Sequence, residues 1–287
     1  MKKVIVVGSV NIDVVYKVDK LPQLGESIRG YDLMKLPGGK GLNQAIACKR
    51  VYEETIFLGC LGDDTNLLKN VLLKDKINDK YLLKSNTSTG TAIITLTNHD
   101  NTIVVIPGAN DEVSIEYIKD NISLFTKDSI VLLQNEIPQE TNEFIIDYCY
   151  NNGIEVIYNP APARLIDKEL LKKISYFTPN ETEARTIFND DNLENIIKAY
   201  PKKVIITIGD KGVIYYDNEI VNIKAKKVDV VDTTGAGDTL NGILCAYLAQ
   251  GYSLKDALTF ATKGASIACL SLGAQAGMPS KEIIEKG

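Results

Sequence analysis

Tryptophan is absent from this chain of 287 residues, histidine occurs once and methionine three times. One histidine and five scattered cysteines leave little from which to assemble a zinc site or a Ser-His-Asp triad. No two of Cys48, Cys60, Cys149, Cys245 and Cys269 form a C-x-x-C pair, and each sits in an apolar or helical context. They are expected as buried free thiols in a reducing compartment. No apolar run approaches the roughly 18 residues that a membrane span needs. A basic excess is lacking too: 32 Lys and Arg face 37 Asp and Glu, a net charge of -5. A binder of nucleic acid or of an anionic membrane surface needs a basic face, so neither partner is expected. Met1-Lys2-Lys3 begins as a secretory leader does, but Asn11 and Asp13 soon interrupt the apolar run and no small-residue cleavage site follows. A cytoplasmic protein is expected. Repeats, charge blocks and dividing linkers are also missing, so residues 1–287 are expected to form a single domain.

What is present is an ordinary globular composition, 45% hydrophobic and 24% charged, enough to bury a core without disulfide or metal support. Short β-branched runs at 4–7, 55–58, 130–133, 155–158 and 204–208 read as strands covered on both faces. Helical patterns at 43–52, 67–74, 114–121, 139–151 and 192–200 lie between them. Such alternation predicts right-handed βαβ units and an α/β fold with a doubly wound, mostly parallel sheet and helices on both faces. Two regions break the pattern. Residues 91–96 and 102–106 flank the polar cluster Asn98-His99-Asp100-Asn101 and predict a hairpin, and 14–36 holds strand-like pieces without a helix. Together they predict a small sheet standing off the main body. A second hairpin is expected at 213–216 and 220–223, and two helices between 238 and 270, the second capped by Ser253.

Four segments carry chemistry. In Val230-Val231-Asp232-Thr233-Thr234-Gly235-Ala236-Gly237-Asp238, a predicted strand end runs through small residues into a helix. Bare backbone N–H groups at a helix start form an anion hole, and Asp238 stands where a carboxylate could take a proton from a hydroxyl beside it. The same residues also suit a glycine turn with a first-turn acid. Asp232, read at the end of an apolar strand with no Lys or Arg between it and Asp238, needs either a bound cation or a capped turn to offset its charge. Pro37-Gly38-Gly39-Lys40-Gly41-Leu42-Asn43-Gln44 places bare backbone beside a cation; it lacks the Ser or Thr of a Walker A loop. Lys40 and Asn43 can face one ligand if the helix starts early. Gly8-Ser9-Val10-Asn11-Ile12-Asp13 lies at the carboxyl end of the first strand, where open α/β sheets bind ligands. Alternating Asn11 and Asp13 suit a polyhydroxylated ligand, and Glu136 holds the same topological position after the 130–133 strand. Thr178-Pro179-Asn180-Glu181-Thr182-Glu183 reads either as a helix capping pair or as a phosphate and magnesium neighbourhood. Thr207-Ile208-Gly209-Asp210-Lys211-Gly212 is a strand end against which a nucleotide could lie.

In this order the segments resemble the ribokinase-like carbohydrate kinase family over essentially the whole chain. Gly38-Gly39-Lys40-Gly41-Leu42-Asn43 and Asp232-Thr233-Thr234-Gly235-Ala236-Gly237-Asp238 match its two signature regions. Pro107-Gly108-Ala109-Asn110, Asn159-Pro160-Ala161-Pro162-Ala163, Thr178 to Glu183 and Gly273-Ala274-Gln275 add to the match. The resemblance implies a β-sheet lid, near 14–36 and 91–106, that closes over a sugar and pairs two subunits into a homodimer. It implies ATP-dependent phosphorylation of D-ribose at its 5-hydroxyl, with Asp238 as base. Kinases of deoxyribose, fructose or a nucleoside stay open as alternatives, as does a catalytically silent sugar-binding protein. Asn11, Asp13, Gly39, Lys40, Asn43, Glu136 and Asp238 are implied in sugar binding. The ATP site would use Asn180, Thr207, Gly209, Lys211, Gly212, Gly235, Ala236 and Gly237, with Thr262 near the adenine. Glu183 would meet Mg2+ through water, and Asp232, Thr234, Ala268, Ser271, Gly273 and Gly277 would surround K+. Two positions depart from the family: Ser271 stands where relatives often carry a basic residue, and Gly277 where they often offer a Ser hydroxyl.

Overall fold

The computed structural model describes residues 1–63, 66–97 and 101–286. Its central sheet is parallel, in the order Tyr176–Phe177, Glu155–Asn159, Ser129–Gln134, Lys3–Val7, Thr55–Leu58. Phe177 and Asn180 form parallel bridges to Val204 and Thr207, which carry the sheet on into Ile205–Thr207. The antiparallel strands Val213–Asp217 and Glu219–Ile223 extend that edge.

The period-2 alternation of the central strands feeds two cores, one on each face. Val4, Val6, Ile130 and Leu132 pack with Leu42, Ile46, Leu244 and Leu258 from the helices Lys40–Val51, Ala236–Ala249 and Leu254–Ala268. Ile5, Val7, Val131 and Leu133 pack with Ile118, Ile145, Ile146 and Ile197 from Ile115–Asp120, Gln139–Asn151 and Leu193–Ala199. Continuous apolar strands are what two covered faces demand. All five cysteines are buried and free, and burial pushes the Cys60 and Cys149 thiols up to about 12.

A second sheet, in the order Tyr31–Gly38, Asn11–Lys17, Gly90–Leu96, Asn101–Ile106, stands apart. Asn11–Lys17 follows the first core strand after only Gly8, Ser9 and Val10, so Asn11 and Asp13 open this sheet. Of the expected turn Asn98-His99-Asp100-Asn101, residues 98–100 lie outside the described residues.

Three differences from the sequence reading have local causes. The first helix starts at Lys40, not 43, because Gly39 at φ 91 turns the chain sharply into it. The helices Lys168–Lys173 and Lys281–Lys286 were not anticipated; six residues are too few to show a period. Residues 228–231 are not a strand: Val230 and Val231 are exposed, and their apolar character had suggested a buried edge.

Candidate active site

The site forms where the first strand ends and two helices begin. Glycine sets the approach of backbone to backbone. A Cβ on Gly41 would lie 2.4 Å from the carbonyl carbon of Gly8 and the nitrogen of Ser9, so the Lys40–Val51 helix abuts the strand end directly. Gly39 itself supplies no side-chain cap. Glu136 stands in for one: its Oε2 accepts from the Lys40 N–H at 3.0 Å and from Ser9 Oγ at 2.5 Å. A carboxylate at a helix N-terminus is favoured by the exposed N–H groups and the dipole.

Asn110 Nδ2 donates to Asn11 Oδ1 at 2.8 Å, and the Val10 N–H donates to Asn110 Oδ1 at 2.8 Å. With its oxygen so engaged, the Asn11 amide is fixed in orientation. The Asp13 carboxylate lies against Gly38, 2.3 Å from where a Cβ would stand. Burial, then the nearby Glu136 and Asp238, push its pKa up to about 7, and Lys40 opposes them. Around Lys40 the balance reverses. Burial disfavours its charge, but Asp238, Glu136, Glu183 and Asp13 together outweigh it and raise the pKa. One ammonium thus lies within electrostatic reach of four carboxylates from four separate parts of the chain.

Asp238 is buried in the first turn of Ala236–Ala249. Its Oδ2 accepts from Asn43 Nδ2 at 3.0 Å and its Oδ1 from Gln44 Nε2 at 2.9 Å. Those amides are held in turn: Gln275 Nε2 donates to Asn43 Oδ1 and Gln134 Nε2 to Gln44 Oε1, both at 2.8 Å. Gly235 precedes the helix at φ 78, with its Cα against Ala274. Nothing stands within 4 Å of a Cβ built on Gly237, so its backbone is open to an approaching group. The turn therefore sets the open backbone of Gly237 beside an oriented carboxylate, while the Ala236 N–H donates to the Thr233 carbonyl at 3.2 Å; an open amide next to such a carboxylate suits proton removal beside a developing negative charge.

Asn180 and Glu183 form a complete capping box, with both bonds at 2.8 Å. Burial raises the Glu183 pKa, against the Asn180 N–H bond and the Lys40 charge. The capping reading holds, and the box fixes a carboxylate that feels the charges of Lys40 and Asp238. Thr207 bridges to Asn180, and Gly209, at φ 59, has open space beyond its Cα. Gly212, at φ 93, is packed within 2.0 Å of the Ile223 carbonyl oxygen, measured from an ideal Cβ. Lys211 lines an open groove of about 570 Å³ with Arg185, Glu181 and Ile214. Thr262 is buried within Leu254–Ala268. Asp232 does not end a strand: its Oδ1 accepts from the Thr234 N–H at 2.9 Å and Thr234 Oγ1 at 2.7 Å, and its Oδ2 from the Gly273 N–H at 2.8 Å. Burial opposes ionisation, and these bonds overcome it and lower the pKa. Among the described residues, no group of His, Cys, Asp and Glu is clustered to hold a metal by itself.

A sequence profile of the pfkB family of carbohydrate kinases matches residues 1–281. This chain belongs to the pfkB family. The kinase is 41% identical over 288 residues to the ribokinase of Lactococcus lactis, across 97% of this chain and 94% of that relative. It is 39% identical to the ribokinase of Bacillus subtilis, across 100% and 99%. Its fold superposes on the structure of Arabidopsis thaliana ribokinase complexed with ribose and ATP, with a TM-score of 0.89 and 30% identity over 99% of this chain and 98% of that one.

Sequence reasoning about this pfkB kinase missed the residues that orient the others: Ser9, Gln44, Asn110, Gln134 and Gln275. Four of them are fully or almost fully buried polar residues. Gln44 carried a signal, an amide directly before Ala45-Ile46-Ala47 where a helix needs apolar residues. Gln134 ends a strand and carried none.

Proposed function

We propose that this kinase transfers the γ-phosphoryl group of ATP to the 5-hydroxyl of D-ribose. The observation that carries the reading is Asp238, a buried carboxylate oriented by two amides beside the open backbone of Gly237. Asn11, Asp13, Glu136, Lys40, Asn43 and the Gly39 backbone surround the sugar, meeting its hydroxyls with acceptors and donors of fixed orientation. Asp238 takes the proton of the 5-hydroxyl as that oxygen bonds to the γ-phosphorus and the bond from phosphorus to the β,γ-bridging oxygen breaks. The Gly235 and Gly237 amides meet the charge on the transferring group, joined by the Ala236 N–H when it exchanges its bond to the Thr233 carbonyl for the phosphoryl oxygen. Asn180, Thr207, Gly209, Lys211, Gly212 and Thr262 form the nucleotide side. Glu183, with one oxygen in the capping box, has the other to offer the water shell of a magnesium ion. Magnesium, when bound to the nucleotide, neutralises phosphate charge.

The kinase works in the cytoplasm as a homodimer paired through the lid. Ile103, Val104, Val105 and Ile106 are consecutive, apolar and exposed on the lid's edge strand, a surface that favours pairing with a second copy. A potassium ion would be held by Asp232 with the carbonyls of Thr234, Ala268, Ser271, Gly273 and Gly277, and would offset the Asp232 charge beside the 233–237 turn. Hard oxygen donors suit it, and Gly277 contributes backbone alone: a Cβ there would stand 2.2 Å from the Ala268 oxygen.

A coupled ADP-release assay over ribose, deoxyribose, fructose and nucleosides tests the substrate. The highest kcat/KM is expected for ribose, with ribose 5-phosphate as product by phosphorus NMR; preference for another acceptor replaces ribose in this reading. A potassium titration with sodium and tetramethylammonium controls tests the cation. Potassium is expected to raise kcat, and a flat response in all three removes that site.

A further inference from the structure

Arg50 lies in the last turn of the Lys40–Val51 helix and contributes nothing directly to the site. All three nitrogens of its guanidinium are nevertheless engaged. Nε and Nη2 donate to the two oxygens of Asp75 at 2.6 and 3.1 Å, and Nη1 donates to the carbonyls of Gln275 and Met278, both at 2.7 Å. The two side chains are 17% and 7% exposed. Asp75 directly follows the C-terminus of the Asn66–Lys74 helix, where the dipole opposes a carboxylate and burial adds to the penalty. Arg50 offsets both. The planar fork that binds Asp75 is thereby held rigid, with its third nitrogen aimed at the two carbonyls.

Those carbonyls belong to a segment that touches three parts of the site with three consecutive residues. The Gly273 N–H donates to Asp232, Ala274 packs against Gly235, and Gln275 donates to Asn43. The Asn43 contact matters because a carboxamide has two orientations of nearly equal shape. In one, Nδ2 donates to Asp238; in the other, Oδ1 faces the carboxylate and repels it. The Gln275 donor at Oδ1 selects the first.

We propose that Arg50, braced by Asp75, is a positioning residue for phosphoryl transfer. It fixes the 273–278 segment, and through it the Asn43 amide that orients Asp238 and the seat of the Gly235 turn. The inference rests on the kinase reading above. Lysine cannot replace arginine here, because a point charge cannot hold a carboxylate in two bonds and also reach two carbonyls in the same plane.

The test combines turnover with backbone hydrogen exchange in wild type, Arg50→Lys, Gln275→Leu and the double variant. Arg50→Lys is expected to lower kcat by about 10²-fold, the cost of a small misplacement remote from the chemistry. Amide exchange is expected to rise in 233–237 and 273–278 and to stay unchanged elsewhere in the core. The double variant is expected to lose less than the product of the two single losses, since both act in part through Asn43. A kcat for Arg50→Lys within about two-fold of wild type, losses that multiply in the double variant, or exchange that rises across the whole core each overturn the proposal. Should Arg50→Lys fail to fold, Asp75→Asn weakens the brace and is read by the same criteria. A wild-type chain inactive on every sugar overturns the functional reading instead, and local exchange at 273–278 then decides the clamp alone.

Discussion

Asp13 shows how a single carboxylate is set by what surrounds it. Burial and two like charges hold it near 7, against an ordinary value of 3.8. The folded chain therefore binds more protons than the unfolded chain between about pH 4 and 7. Its stability falls as pH rises through that window and levels off above it. The melting temperature of the sugar-free protein is expected to drop between about pH 4 and 7, and Asp13→Asn to remove much of that slope. Sugar binding runs the other way. Only the ionised carboxylate accepts from two hydroxyls, so kcat/KM for ribose is expected to rise through about pH 7 and to lose that rise in Asp13→Asn. A profile flat through neutrality would place Asp13 outside the sugar site. Asp238 answers to a different measurement. Asp238→Asn keeps the shape but not the base, so sugar binding by calorimetry is expected to persist while kcat falls about 10²–10⁴-fold. Retained turnover would reduce Asp238 to a helix-start acid.

At the scale of elements, two glycines two residues apart do different work. Gly235 holds φ 78 against Ala274, so Gly235→Ala is expected to cost about 1–3 kcal/mol in a thermal or urea melt and to slow turnover with it. Gly237 has nothing within 4 Å of the added methyl, so Gly237→Ala is expected to melt as wild type does while its KM for ATP rises. Equal effects in both assays for both variants would deny the 235–237 amides their role. The same scale shows how far sequence carries. Central strands and the Gln139–Asn151 helix were legible because period and length repeat along the chain. The antiparallel pair Gly90–Leu96 and Asn101–Ile106 was legible from its alternating strands. Glu136 and Asp13 could be suspected from their places at strand ends. The amide network of Gln44, Gln134 and Gln275 could not, because its members come from three distant segments and meet only when the sheet is built. The Val230-Val231 pair misled for the complementary reason: two apolar residues look the same in a strand and in an exposed crossing.

On the scale of the whole molecule, the second sheet presents an exposed apolar edge, the surface through which the proposed lid would pair. Val104 is 59% exposed on an edge strand whose neighbours in sequence are equally apolar. Val104→Lys is expected to shift the sedimentation coefficient from dimer to monomer and to slow sugar turnover as the lid loses its support. A dimer that survives this change is paired elsewhere. The close seating of Gly8 on Gly41 has a consequence of another kind. Each lacks the space for even one methyl, with backbone 2.7 and 2.4 Å from where it would stand. A saturating mutational scan selected on growth would thus find these two positions as intolerant as Asp238, although neither holds a proton, a phosphate or a sugar. Along this stretch, a map of genetic sensitivity would record clearance between a strand and a helix as faithfully as it records chemistry.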